Sequence, residues 1–429
     1  MSHYLHIVQL YHGASGAARY FIEIGERLVR DGHQVTVLTT DAFDLEHLWA
    51  AGKRRIDTAE EYINGVKVIR LPVKRIAGPS IMYPIIRRSM VELGRLPKVN
   101  NLLRSMAQIT PQLPDLRSVL ERPEFENVTI VHTTNITLDF MILPVVEWAK
   151  QRGIPHICTP FIHLGEPNDP GYVRYYSMPH MIELLKECEM VITQTNLEMS
   201  FLRRRGVPQD NMRTIGVGVN LSEIRGGDGK RFREQQNIRD AMVLTLGTAA
   251  ADKGTIHTVE AMRMLWKAGR KIIWVQVGPQ MEHFTQYIQK LTPEEKAMTR
   301  VLGFVDDQTR RDALAAANLM VMPSRTDSFG IVYLEAWCYA VPVIGARAGG
   351  VPEVILDGEN GVLVPFGNVS SLSQAILNLL RDRDLARAMG QIGQRRVERE
   401  FTWDSRYFLM RSLYRNVEQN VKARNTARV

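Results

Sequence analysis

The chain has 429 residues, a net charge of +8 with histidines neutral, 45% hydrophobic and 23% charged residues, and three cysteines. That is too long for one ordinary core and ordinary in composition for globular protein, so two or three folded domains are expected. Cys158, Cys188 and Cys338 form no metal-ligand spacing and cannot all pair, which fits a reducing cytosol. The opening residues lack a cationic signal-peptide start, and no run reaches the ~18 apolar residues of a membrane span, so a soluble or peripheral protein is expected.

In chain order, Tyr4–Leu10 reads as a buried strand, and residues 11–39 as turn, helix, Gly turn and second strand. This βαβ opening predicts a parallel sheet with right-handed crossovers. Gly13–Gly16, G-A-S-G, lies between first strand and first helix. It is either a loop that lets the backbone approach a diphosphate or a plain tight turn, because it is not a complete dinucleotide fingerprint. Asp41–Val66 reads as a charged, irregular insertion, and Gly65–Leu71 as a strand. Between Lys67 and Arg104 there are nine Lys or Arg and one acid, Glu92. This stretch mixes Ile81, Met82, Tyr83, Ile85 and Ile86 with Arg87, Arg88, Arg95, Lys98 and Arg104. It reads either as an anionic-membrane contact through Arg87 and Arg88 or as a solvated helix face. No nucleic-acid-binding motif accompanies the charge.

Residues 127–135 form the next strand, with His132 near its end as an acceptor-side or structural residue. A helix follows over 138–151, then a strand and loop carrying His163. A histidine just after a parallel strand lies at the carboxyl edge of the sheet, where ligands bind in open α/β folds. A short strand at Met190–Gln194 and a helix at Thr195–Arg205 lead to a boundary near Gly216, and Gly226–Lys230 reads as a flexible surface loop. A second βαβ pattern then starts: strand, loop and helix over 241–265, strands within 271–279 and 298–307, and a helix at Ala313–Asn318.

The densest signal is the run from Pro323 to Ile344, PSRTDSFGIVYLEAWCYAVPVI. The strand LMVM ends at Pro323, a polar turn follows, and Asp327 is placed as helix N-cap. Ser328, Phe329, Gly330 and Ile331 are then expected at the first helical turn, with amides free for a phosphate. Glu335, eight residues after Asp327, is expected on the same side as a second carboxylate for sugar or ribose hydroxyls. Both acids have the simpler alternative of a cap and a solvated helix residue.

P-S-x-x-[ED]-x-F-G-x-x-x-x-E-A, followed by P-V-I and GGVPEVI, resembles the donor half of GT4-type glycosyltransferases. The resemblance implies a GT-B fold, an α/β architecture of two Rossmann-like domains facing each other across a donor/acceptor cleft. It also implies transfer of a sugar from a UDP- or GDP-sugar to an acceptor hydroxyl with retention. The expected domains are 1–215 for the acceptor, 216–401 for the nucleotide-sugar, and a helix over 402–429 that packs back on the first. By this resemblance Lys253 and the amides at 328–331 hold the diphosphate, Asp327 the sugar, Glu335 the ribose and Val305 the base. His163 sits by the reacting centre, and Gly13 and Gly16 face donor phosphates and acceptor. The family usually has an arginine where this chain has Thr248, with Arg325 a possible substitute cation. It usually has Glu where this chain has Asp327, and a second Gly where this chain has Ala14.

No cofactor or metal is expected, since the only D-x-D, Asp382-Arg383-Asp384, fits a surface helix. Expected partners are a nucleotide-sugar, a carbohydrate, lipid-linked or small-molecule acceptor, and an anionic membrane surface, in the cytoplasm or on the inner face of its membrane. The alternatives are a catalytically weak nucleotide-sugar-binding relative, which Thr248 suggests, or a GT-B epimerase or phosphorylase.

Overall fold

A computed structural model describes residues 1–426 apart from 14, 15, 77 and 170. Two compact units emerge: Met1–Ile162 with Val173–Ile215 and Tyr407–Val429, and His163–Tyr172 with Gly216–Arg406.

The first unit is built on eight strands: β1 His3–Ile7, β2 Gln34–Thr40, β3 Glu60–Ile63, β4 Val66–Leu71, β5 Val128–Thr134, β6 His156–Thr159, β7 Met190–Thr193 and β8 Met212–Thr214. Their order is β3-β4-β2-β1-β5-β6-β7-β8. All neighbours pair parallel except β3 with β4. Helices on both faces bury the central strands, which is why β1 and β5 are buried along almost their whole length. The second unit repeats the plan with six parallel strands: β9 Ala241–Leu246, β10 Ile272–Val277, β11 Thr299–Gly303, β12 Leu319–Met322, β13 Val343–Ala346 and β14 Val362–Val364. They lie in the order β11-β10-β9-β12-β13-β14. Each sheet has its own core. Leu5, Ile7, Leu38, Val131 and Met141 are among the residues of the first, and Val243, Val259, Trp274, Val321 and Ile344 of the second.

Several expectations are corrected. The insertion 41–66 is not wholly irregular: Glu60–Ile63 is an antiparallel edge strand. Its charges masked it, but Glu61 pairs with Arg70 at 2.5 Å, and edge strands carry such charges readily. The stretch 226–230 is not a loop throughout, because Asp228 accepts from the Arg231 amide and starts a helix at Gly229–Gln235.

Arg87, on the helix Met82–Leu93, is not a surface cation. It is buried and donates to Asp139 Oδ1 at 2.7 Å, while His180 Nε2 lies 2.8 Å from Oδ2 of the same carboxylate. Its charge is spent inside the unit. Arg88, the next residue, is exposed.

His132 is a core residue and offers an acceptor nothing. It is 0% exposed, and its two nitrogens lie 2.5 Å from Tyr414 Oη and 2.8 Å from Thr159 Oγ1. The Tyr414 hydroxyl also lies 3.1 Å from His6 Nε2. Burial, and then the neighbouring His6 and His156, hold His132 well below the ordinary histidine range. Tyr414 belongs to the final helix, Trp403–Thr426, whose Tyr407 and Arg411 both reach Asp31, at 2.7 and 3.2 Å.

Candidate functional site

The strand order of the second unit locates a site before any side chain is considered. From β9 the chain steps outward to β10 and β11, then returns to place β12 on the other side of β9. The loops leaving β9 and β12 therefore diverge at the carboxyl edge, where open α/β sheets bind ligands. Those loops are 247–254 and 323–330.

Their close packing is set by glycine. Gly254 has φ +70°, and a Cβ there would stand 2.4 Å from the Pro323 carbonyl oxygen. Gly349, in the GGVPE turn after β13, has φ +59°, and its Cβ would meet the Asp327 carbonyl oxygen at 2.2 Å. A side chain at either position would push the loops apart. With both glycines present, the Gly350 amide donates to the Asp327 carbonyl at 2.9 Å, and the Arg325 amide to the Asp252 carbonyl at 3.0 Å.

This packing brings Lys253 onto Asp327. The ammonium donates to Oδ1 at 2.9 Å, with the side chains 24% and 18% exposed. Burial works against both charges, but their attraction outweighs it. Lys253 is raised above the usual lysine value and Asp327 is held below the usual carboxylate range. Oδ2 of Asp327 is buried without a partner among the described residues. Asp252, beside Lys253, accepts from the Thr326 hydroxyl at 2.6 Å and so ties one loop to the other.

His163 belongs to this site, although the sequence reading put it in the first domain. Residues 163–172 pack with the second unit because the Gly349 amide donates to the Gly165 carbonyl at 2.7 Å and Arg325 reaches Glu166 and Tyr172. Burial, and then the Lys253 charge, push His163 down to about 4, so it is neutral at physiological pH.

The loop–helix junction differs from expectation. Asp327 is not a helix cap, and Ser328–Gly330 are not helical. Gly330, at φ +90°, is the N-cap, and the helix runs only over Ile331–Trp337. The left-handed glycine breaks the helical path that the sequence pattern implied. Among the described residues no acceptor stands opposite the amides of Ser328, Phe329, Gly330 and Ile331. They are donors of a loop rather than of a long helix end.

Glu335 consequently does not stand two turns above Asp327. It is buried and accepts from Arg310 Nη1 at 2.5 Å. Arg310 lies on the helix Asp307–Ala316, directly after the loop that carries Val305. Val305 itself is half-buried at the carboxyl end of β11, next to Phe304, which is 79% exposed. Thr248 is exposed in the loop after β9. Arg325 is engaged elsewhere, between the rings of Tyr172 and Phe366. In the first unit, Gly13 and Gly16 follow β1 at the β1/β5 divergence, while Ala14 lies outside the described residues.

Comparison with known proteins gives this arrangement its family. The profile described as "Glycosyl transferase 4-like domain" matches residues 15–218, and "Glycosyl transferases group 1" matches 228–396. The chain belongs to the GT4-type glycosyltransferases. Its fold is the GT-B class.

This glycosyltransferase is 33% identical over 139 residues to N-acetyl-alpha-D-glucosaminyl L-malate synthase of Bacillus anthracis, a match covering 32% of the chain and 35% of that relative. It is 22% identical over 406 residues to an uncharacterised glycosyltransferase of Methanocaldococcus jannaschii, covering 91% of each. Among solved structures, sucrose-phosphate synthase from Thermosynechococcus elongatus superposes with a TM-score of 0.72 at 22% identity, covering 97% of this chain and 99% of that one. Anabaena HepE in complex with UDP and glucose gives 0.70 at 16% identity, covering 97% and 100%.

Sequence reasoning missed Arg310, Asp252 and Thr326. Only Asp252 carried a local signal, a carboxylate adjacent to Lys253.

Proposed function

We propose that this glycosyltransferase transfers a sugar from a UDP- or GDP-sugar to an acceptor hydroxyl, with the donor on the second unit. The observation that carries the reading is the Lys253–Asp327 pair at 2.9 Å, held between the two loops that diverge at the β9/β12 switch. An ammonium has three donors. One is used by Asp327, which leaves two for diphosphate oxygens. Lys253 and the loop amides of 328–331 then face the charge that develops on the leaving diphosphate. Asp327, paired and ionised, accepts from sugar hydroxyls. Glu335, oriented by Arg310, takes the ribose diol, and Val305 lies where the base would rest. Neutral His163 completes the wall beside the reacting carbon.

Retention suits this set. Asp327 is committed to Lys253, so it is placed to bind rather than to attack, and same-face displacement depends on leaving-group stabilisation. We read the reaction as metal-independent. The acceptor is assigned to the first unit near Gly13 and Gly16. Ile81, Met82 and Ile85, exposed beside Arg88, further suggest peripheral contact with an anionic membrane. Among the described residues no helix is long and apolar enough to cross a membrane.

A thermal-shift panel of nucleotide-sugars tests the donor reading, because a ligand at 100 times its Kd adds about 2.7 kcal/mol of stability. Stabilisation by UDP- or GDP-sugars that Lys253→Ala weakens is expected, with release of UDP or GDP when acceptor is supplied. Absence of any nucleotide effect would sink the reading. NMR of the product anomer tests retention, and activity in EDTA tests metal independence. Co-sedimentation with anionic vesicles that survives Arg88→Glu with Lys98→Glu would remove the membrane proposal.

A further inference from the structure

Arg325 occupies a variable position of the P-S-x-x-[ED] motif, yet it is held by several protein groups beside the site. Its guanidinium lies 4.6 Å from the Tyr172 ring centre and 4.8 Å from that of Phe366. Nη1 donates to Glu166 at 3.3 Å, and Nη2 to the Tyr172 hydroxyl at 3.0 Å. Its own amide donates to Asp252, the neighbour of Lys253. One residue thus joins four chain segments: the loop of Lys253, the loop of Asp327, the segment that carries Glu166 and Tyr172, and the turn that carries Phe366. The segment 163–172 is also held by the 2.7 Å bond from the Gly349 amide to the Gly165 carbonyl and by a hydrogen bond between the His163 ring and the Thr326 backbone.

We propose that Arg325 is a positioning residue for sugar transfer: clasped by Tyr172, Phe366 and Glu166, it fastens segment 163–172 so that His163 is presented to the Lys253–Asp327 pair. The proposal rests on the donor-site reading above. It differs from the idea that Arg325 replaces the family's arginine at Thr248, because Nη1 and Nη2 are held by Glu166 and Tyr172 and the guanidinium lies over the Tyr172 and Phe366 rings, with Nε buried and without a partner among the described residues. A planar guanidinium stacked between two rings while bonded at its rim uses features that lysine lacks. The clasp is therefore specific to arginine.

The experiment compares wild type, Arg325→Met, Arg325→Lys, Tyr172→Leu and the double variant Arg325→Met/Tyr172→Leu, all as full chains. Hydrogen exchange is read in peptides covering 163–169 and the Gly349 amide. Loss of a charge-assisted bond predicts that Arg325→Met exchanges about tenfold faster there, with the rest of the second unit unchanged. The same variant is expected to lose at least about tenfold in kcat while donor KM and the affinity for UDP or GDP stay within about threefold. Lysine restores only part of the loss, and the double variant is no worse than Arg325→Met, since both substitutions undo one clasp. Unchanged exchange at 163–169, unchanged kcat, or multiplicative losses in the double variant would each overturn the proposal. If wild type binds neither nucleotide, the donor-site reading falls and takes the clasp's role in transfer with it. If wild type turns over and Arg325→Met does so equally well, the clasp alone falls.

Discussion

Replacing Lys253 by alanine removes the one side-chain cation assigned to the leaving diphosphate. Two unit charges 2.9 Å apart, the distance at which Lys253 meets Asp327, interact by about 6 kcal/mol at an effective dielectric near 20. A phosphate oxygen at similar range gains the same gross energy. Desolvation and screening remove roughly half, because both side chains are partly exposed. The remainder, about 3 kcal/mol, is on the order of a hundredfold in rate and agrees with the loss of one preorganised donor in other active sites. The assay is steady-state release of UDP or GDP at saturating donor, with nucleotide affinity measured separately. Lys253→Arg keeps the charge and is expected to recover part of the rate. A fall below about tenfold in kcat, with affinity intact, would refute the assignment of Lys253 to the leaving group.

Other expectations follow from the same geometry. Arg310→Met strips the partner from buried Glu335 and should cost about 3 kcal/mol in urea denaturation, with much of it recovered in Arg310→Met/Glu335→Gln. Gly349→Ala imposes a side chain at φ +59°, 2.2 Å from the Asp327 carbonyl; it should cost more than about 2 kcal/mol and lower activity by displacing Asp327. His6 and His156 are pushed down to about 3 by burial. Between there and the unfolded value near 6.5 the unfolded chain binds more protons, so stability is intact above that range and falls as pH drops through it. Each contributes up to about 1.4 kcal/mol per pH unit. Denaturation at pH 5 and 7 should show this slope, and His6→Gln should reduce it by about one proton.

The parallel sheets were legible because β9 and β12 are short, largely apolar runs closed by Gly247 and Pro323. Lys253 was reached through the family resemblance rather than through any local turn signal. The junction at 327–331 was misread because Gly330 is compatible both with a helix start and with the left-handed break that it makes. Arg310 pairs with a residue 25 positions away, and no local pattern signals such a contact. Arg87 fitted an amphipathic surface by period alone. Only the packing of Asp139 and His180 against it shows that its charge points inward. His163 was found from its place after a strand, but the unit it joins was decided by Gly165, Glu166 and Tyr172, which carry no periodic signal.

The Tyr414 hydroxyl, lodged between His6 and His132, has an implication for biosynthesis. Strands near the start of the chain share their interior with the helix Trp403–Thr426, so the first unit cannot finish folding until that helix has been made. The second unit is continuous over Gly216–Arg406 apart from one short segment and can fold while translation proceeds. Ribosome-bound chains ending at residue 406 should therefore show protease-resistant second units and digestible first ones, the reverse of the usual amino-terminal-first order. Equal resistance of both would show that the closing helix is dispensable.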